Sequence, residues 1–155
     1  MDVTIRKAHL EDAGELGRLL REIDLFPAMQ DEQPGETLAR VQRHLALCLQ
    51  DNSHSVYVAE DRDGGLVAYI SVHWLPYLML KGPEGFISEL FVGEPFRDRG
   101  IGTRLLESVQ AEARQRGCFR LSLENMRGRE SYQRRYYEKA GWEERPEAAN
   151  FVYYL

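Results

Sequence analysis

Residues 90–117, LFVGEPFRDRGIGTRLLESVQAEARQRG, pass from an apolar strand-like segment through a short polar turn into an amphipathic helix. No other stretch limits the fold as much. Glycines at 100 and 102 permit dihedrals that a Cβ opposes and let a ligand approach the main chain. A helix starts directly behind them, so its unpaired N–H donors and the positive end of its dipole converge on one spot. Such a turn suits an anion, most naturally a phosphate. Arg97, Arg99 and Arg104 raise the local potential, and Thr103 offers a hydroxyl in the first turn. Taken alone, the stretch fits equally a softened strand-to-helix turn with solvated arginines, and it is neither GxxxxGK[ST] nor GxGxxG.

Around this junction the chain alternates between strand and helix periods. VTIRKA reads as a first strand, and HLEDAGELGRLLREID as a helix with Leu10, Ala13, Leu16, Leu20 and Ile23 on one face. After the breaker FPAMQDEQPG, the run ETLARVQRHLALCLQ has Leu38, Val41, Leu45 and Leu49 at helical spacing. HSVYVAED and GLVAYISVHWL are β-rich and joined by DRDGG, a hairpin signal. GFISELFV predicts a further strand, residues 101–116 a helix stopped by Gly117, CFRLSLEN a strand, RESYQRRYYEKAG a short helix and ANFVYYL a C-terminal strand. A bulge at Gly93 or nearby is a physical way to begin a splay of this strand from its neighbour, at a position the sequence does not locate. At 155 residues one domain, 1–155, is expected.

Several function classes drop out on composition. The net charge is −5, which opposes general attraction to nucleic acid; residues 1–96 hold 8 basic and 16 acidic side chains, residues 97–155 hold 12 and 9. No apolar run approaches the ~20 residues that cross a bilayer, and the N-terminus lacks a secretory pattern, so the expected compartment is the cytoplasm. Cys48 and Cys118 stand 70 residues apart without ligand spacing, so no metal site is expected.

Arg97-x-x-Gly100-x-Gly102 matches the R/Q-x-x-G-x-G/A pyrophosphate loop of the GNAT acetyltransferase superfamily. ISELFVGEPFRDRGIGTRLLESVQAEARQRGC resembles that family's fourth strand, loop and third helix, and YYEKAGW its Tyr-Glu-Lys-x-Gly-Phe segment with Trp142 for phenylalanine. The opening IRKAHLEDAGEL is similar to its first strand and helix. The resemblance implies an α/β (α+β) fold: a mixed, mostly antiparallel sheet of six to seven strands flanked by about four helices and splayed between strands 4 and 5. It implies acetyl-CoA as co-substrate, with pyrophosphate on the amides of Asp98, Arg99, Gly100, Ile101, Gly102 and Thr103 beside Arg97. The pantetheine arm would run along Leu90, Phe91 and Val92 like an added strand. Where relatives place a pantetheine-binding asparagine this chain has Glu130, and Asn125 is the nearest substitute.

Acetyl transfer needs a neutral amine, and a lysine-like amine of pKa ~10.4 is neutral in only about 10⁻³ of molecules at pH 7, so a proton acceptor helps. Glu89, polar within FISELFV, is the first candidate base; His73 and Glu124 remain open. The resemblance assigns Tyr137 to the CoA sulfur as a hydrogen-bond donor. The acceptor is expected to be a small-molecule primary amine, bound by Phe26, Trp74, Tyr77, Met79 and the acids Asp31, Glu32 and Glu36, as aromatics and carboxylates suit a cation. A protein amine and an inactive CoA-binding module are the alternatives. No nucleic-acid or membrane partner is expected, and a homodimer is left open.

Overall fold

The computed structural model describes residues 2–23 and 31–155, which divide into two compact units, Met1–Leu123 and Glu124–Leu155. The first unit contains one five-stranded sheet in the order β1-β2-β3-β4-β5, formed by Thr4–Lys7, His54–Glu60, Leu66–Leu75, Glu84–Val92 and Arg120–Leu123. Pairing is antiparallel from β1 to β4 and parallel between β4 and β5. A parallel pair needs a crossover. α3, Ile101–Gln115, supplies it.

Each strand reads as it does because of what covers it. α1 (Ala13–Glu22) and α2 (Pro34–Leu49) bury Leu16, Leu19, Val41 and Leu45 with Val56, Val58, Tyr69 and Phe91 from one sheet face. α3 packs against β2, β3 and β4 and buries Ile101, Leu105, Leu106, Val109 and Ala113. With both faces covered, β3 loses the polar–apolar alternation of a half-exposed strand. The expected hairpin forms: Asp61 Oδ1 accepts from the amides of Asp63 and Gly65, and Gly64 takes φ +83°. Gly85 lets β4 and β5 approach, since a Cβ there would meet Leu121 Cδ2 at 2.4 Å and Trp74 Cζ3 at 2.7 Å.

The second unit holds two single-turn helices, α4 (Glu130–Gln133) and α5 (Tyr136–Lys139). Arg135 at φ +55° separates them, so the one short helix expected here is split. The C-terminal strand expected for ANFVYYL does not form, and among the described residues the sheet has five strands rather than six or seven. Phe151 and Tyr153 are 93% and 88% exposed, as are their neighbours Val152 and Tyr154 at 65% and 87%. Alternation specifies a strand only where one face is buried, and here neither is. Among the described residues no helix is long and apolar enough to cross a membrane.

Candidate functional site

The turn that follows β4 has the backbone geometry an anion cradle requires. A 3₁₀ turn, Glu94–Phe96, leads into Asp98 at φ +60° and Gly100 at φ +75°, the latter capping α3. Alternating left-handed residues orient successive main-chain N–H groups toward one side. The helical ladder opens with the Arg104 amide donating to Gly100 O at 3.1 Å, so the Ile101 and Gly102 amides point out of the helix mouth. Nothing lies within 4 Å of a Cβ built on Gly100, so the glycine serves its dihedral and leaves open space before the helix. The donor set fits a pyrophosphate.

Two of the arginines are tied into the fold. Arg97 Nε donates to Val92 O at 3.1 Å and Arg104 Nη2 to Val3 O at 3.0 Å, so both brace the loop and bias its potential only from a distance. Arg99 lies over the Phe96 ring, 6.0 Å from its centre.

The β4–β5 ladder covers Glu84–Ile87 against Arg120–Leu123 and goes no further. Leu90, Phe91 and Val92 lie beyond its end, past the last residue of β5. A shift in the β3–β4 register marks the same point: Ser71 opposes Glu89 and Val72 opposes Ile87, leaving Ser88 as an extra residue. The bulge expected near Gly93 therefore sits at Ser88. Bulges follow strand pairing, which a single strand's sequence does not state.

This bulge sets Glu89 facing α1 and α2, where the Tyr69 hydroxyl donates to its carboxylate at 3.2 Å. Glu89 keeps an exposed edge, yet partial desolvation by the residues packed around its carboxyl pushes it above the usual carboxylate range, with the Tyr69 hydrogen bond and nearby His44 pulling the other way. In return, burial and the Glu89 charge push the Tyr69 phenol far up, so Tyr69 stays a donor. Sequence reasoning missed Tyr69. The usable signal was period two along β3, where Tyr69 and Ser71 share a face that meets Glu89 across the ladder.

His73, the second base candidate, has Nε2 2.7 Å from Ser88 Oγ, and burial and then His54 lower its pKa. Glu124, the third, accepts from Asn150 Nδ2. Trp74 is not an acceptor-binding aromatic: it is 6% exposed, donates Nε1–H to Ser55 Oγ at 3.0 Å and carries Arg116 over its ring at 4.7 Å. Glu32 is engaged by Arg40 and Thr37. Tyr77 and Met79 are exposed, at 46% and 88%, and Phe26 lies outside the described residues.

In the second unit Tyr137 packs edge-on against Tyr136 and Trp142, with ring centres 5.1 and 6.0 Å away. Burial and then Tyr136 push its phenol up to about 12, against Arg129. Tyr132 donates to Glu144, a structural role. Asn125 Oδ1 accepts from Ser131 Oγ at 3.0 Å, and Glu130 pairs with Arg134 at 3.6 Å.

Known proteins share the family pattern and the fold. Residues 20–142 match the model of the acetyltransferase (GNAT) family. The thialysine N-epsilon-acetyltransferase of Mus musculus is 25% identical over 126 residues, 77% of this chain and 73% of that protein. A transcriptional regulator from Bacillus halodurans superposes with a TM-score of 0.84 at 23% identity, covering 98% of this chain and 100% of that one. The glucosamine-6-phosphate N-acetyltransferase of Arabidopsis thaliana gives 0.77 at 20% identity, covering 100% and 99%.

Proposed function

The chain belongs to the GNAT acetyltransferase family, and on that premise we propose that it moves the acetyl group of acetyl-CoA to a small-molecule primary amine by direct attack in a ternary complex. The observation that carries the reading is the turn at residues 98–103: two left-handed residues and a helix mouth that aim amides at one point, directly after the strand edge that β5 leaves. Residues 98–103 hold the pyrophosphate, with Arg97 and Arg99 biasing the potential. Leu90, Phe91 and Val92 offer the pantetheine arm a strand to lie along. Asn125, carried over from the family pattern, adds a polar contact to that arm.

Glu89 is the base. A carboxyl held toward neutrality is a stronger proton acceptor than an ordinary glutamate, and Tyr69 fixes its orientation. Removing a proton from the ammonium frees the nitrogen lone pair; the N–C bond forms at the thioester carbonyl and the C–S bond breaks. Tyr137, assigned by the family motif, donates a hydrogen bond to the departing sulfur. Passing its proton from a phenol at about 12 to a thiolate whose conjugate acid has pKa ~8.5 is uphill by roughly 5 kcal/mol, so Tyr137 stabilises the thiolate and keeps its proton. The mouse relative, named for the ε-amine of a lysine analogue, supports a small amine.

The test is thiol release from acetyl-CoA with a panel of small amines, amino acids and lysine peptides, comparing wild type with Tyr137→Phe. The reading predicts turnover with at least one small amine and a fall in kcat of tenfold or more in the variant. Acetyl-CoA binding without turnover across the panel overturns it in favour of a binding module; turnover confined to peptides overturns the small-molecule assignment.

A further inference from the structure

On the sheet face that holds Glu89 there is a second polar pair. Tyr69, Ser71 and His73 alternate along β3 and so share that face. Tyr69 and Ser71 are buried, His73 is half-buried, and Ser88 and Glu89 on β4 are exposed. Consecutive strand residues ordinarily point to opposite faces. The β3–β4 ladder passes over Ser88, however, and its hydroxyl lies 2.7 Å from His73 Nε2, on the side where Tyr69 bonds Glu89.

The His73 ring is held on two sides. His54, directly across the β2–β3 ladder, meets it edge-on with ring centres 4.5 Å apart, and Phe86, its partner on β4, is tilted against it at 6.3 Å. A ring fixed by its neighbours keeps Nε2 on Ser88, so the pair is pre-organised although it meets solvent. Burial, and then His54, lower the His73 pKa, so the ring is neutral at pH 7.

A neutral imidazole beside a serine presents one of two faces to a ligand. Where Ser88 donates to Nε2, its lone pairs point outward; where Nε2–H donates, the Ser88 O–H points outward. A ligand hydroxyl both gives and takes a hydrogen bond and satisfies either arrangement, whereas an ammonium only gives and a carboxylate only takes. Spacing supplies the second constraint. Ser71 opposes Glu89 and His73 stands two residues further on, about 7 Å along the strand.

Resting on the function proposed above, we propose that His73 and Ser88 read a hydroxyl on the acceptor, so that the amine deprotonated at Glu89 belongs to a hydroxylated primary amine. The carboxylate takes the ammonium end and the His73–Ser88 pair takes the hydroxyl several bonds away. A plain alkylamine leaves the pair without a partner, and a diamine or an amino acid of the same length offers it a group of the wrong hydrogen-bonding character.

The probes are aminopentanol, hexylamine, diaminopentane and aminohexanoate, each assayed with acetyl-CoA. Wild type is expected to favour aminopentanol in kcat/KM by about fivefold or more over each of the others, the discrimination of one net hydrogen bond. Ser88→Ala, a mild change at an exposed position, and His73→Phe should bring the ratio to hexylamine to about one, through KM for aminopentanol rather than through kcat. Ser88→Thr keeps the hydroxyl and should keep the preference. A smaller preference in wild type, no turnover of aminopentanol while other amines react, or a preference that survives in Ser88→Ala overturns the hydroxyl assignment alone. Wild-type protein that binds acetyl-CoA and acetylates no amine overturns the proposed function and this inference with it.

Discussion

Replacing Tyr69 by phenylalanine removes one hydrogen bond from Glu89 and leaves the ring in the core. The hydroxyl donates to the carboxylate at 3.2 Å, at the long end for such a contact. A hydrogen bond to a charged group contributes about 1.5–3 kcal/mol; the length of this one and the solvent that reaches the exposed Glu89 hold it to the lower figure at most, equivalent to about one pKa unit. The bond favours the ionised form, so its loss raises the Glu89 pKa further in the direction burial already pushes it. The assay is kcat/KM for the amine from pH 5.5 to 9, wild type beside variant. Tyr69→Phe should move the Glu89 limb up by about one unit, a loss of up to roughly tenfold on the acid side and none on the alkaline plateau. Superimposable profiles would refute the Tyr69–Glu89 argument, and a uniform loss at every pH would assign Tyr69 to packing or binding instead.

Glu89→Gln should abolish most activity yet stabilise the fold at pH 7. A carboxyl whose folded pKa is raised binds more protons folded than unfolded, so its cost appears as pH climbs past the unfolded value and persists at neutrality; urea melts at pH 4 and pH 7 check the sign. Glu112 runs the other way. It is 7% exposed and burial raises its pKa, but bonds from Tyr57, Arg116, Ser55 and Lys7 outweigh burial and lower it. Its contribution is present above the unfolded carboxyl pKa and lost as pH falls through the folded one; Glu112→Ala, which leaves the buried Ser55 and half-buried Tyr57 hydroxyls without their acceptor, should cost about 1–3 kcal/mol in denaturant melts at pH 7. Gly100→Ala forces a Cβ into a left-handed site with no clash, a cost of about 1–2 kcal/mol, whereas Gly100→Asn should cost less; thermal unfolding compares them.

The conformation of the turn after β4 was legible from sequence because it is local: glycine spacing and a helix start are properties of consecutive residues. Both left-handed positions fall inside the stretch that named it, although Asp98, a non-glycine at φ +60°, gave no signal. What depends on pairing was not legible. The bulge at Ser88 exists only in the register between β3 and β4, and the partnership of Glu89 with Tyr69 follows from it. Trp74 looked like a free aromatic because the sequence does not show Gly85 and Leu121 making room beneath its ring. ANFVYYL carried the strand period without a buried face to use it. Arg97 and Arg104 read only as raising the local potential, because the bonds to their carbonyl partners, Val92 and Val3, form only once the chain is folded.

The central claim is that the turn after β4 binds the pyrophosphate of acetyl-CoA. Calorimetric titration of acetyl-CoA into wild type and Gly102→Asp tests it directly. Gly102 lies in the first turn of α3, where an aspartate suits the helix dipole and should leave the melting temperature intact, while its charge opposes the phosphates. The account predicts measurable binding by wild type and a loss of tenfold or more, about 1.4 kcal/mol, in the variant. Equal affinity in the two proteins, or no binding by wild type, would contradict it.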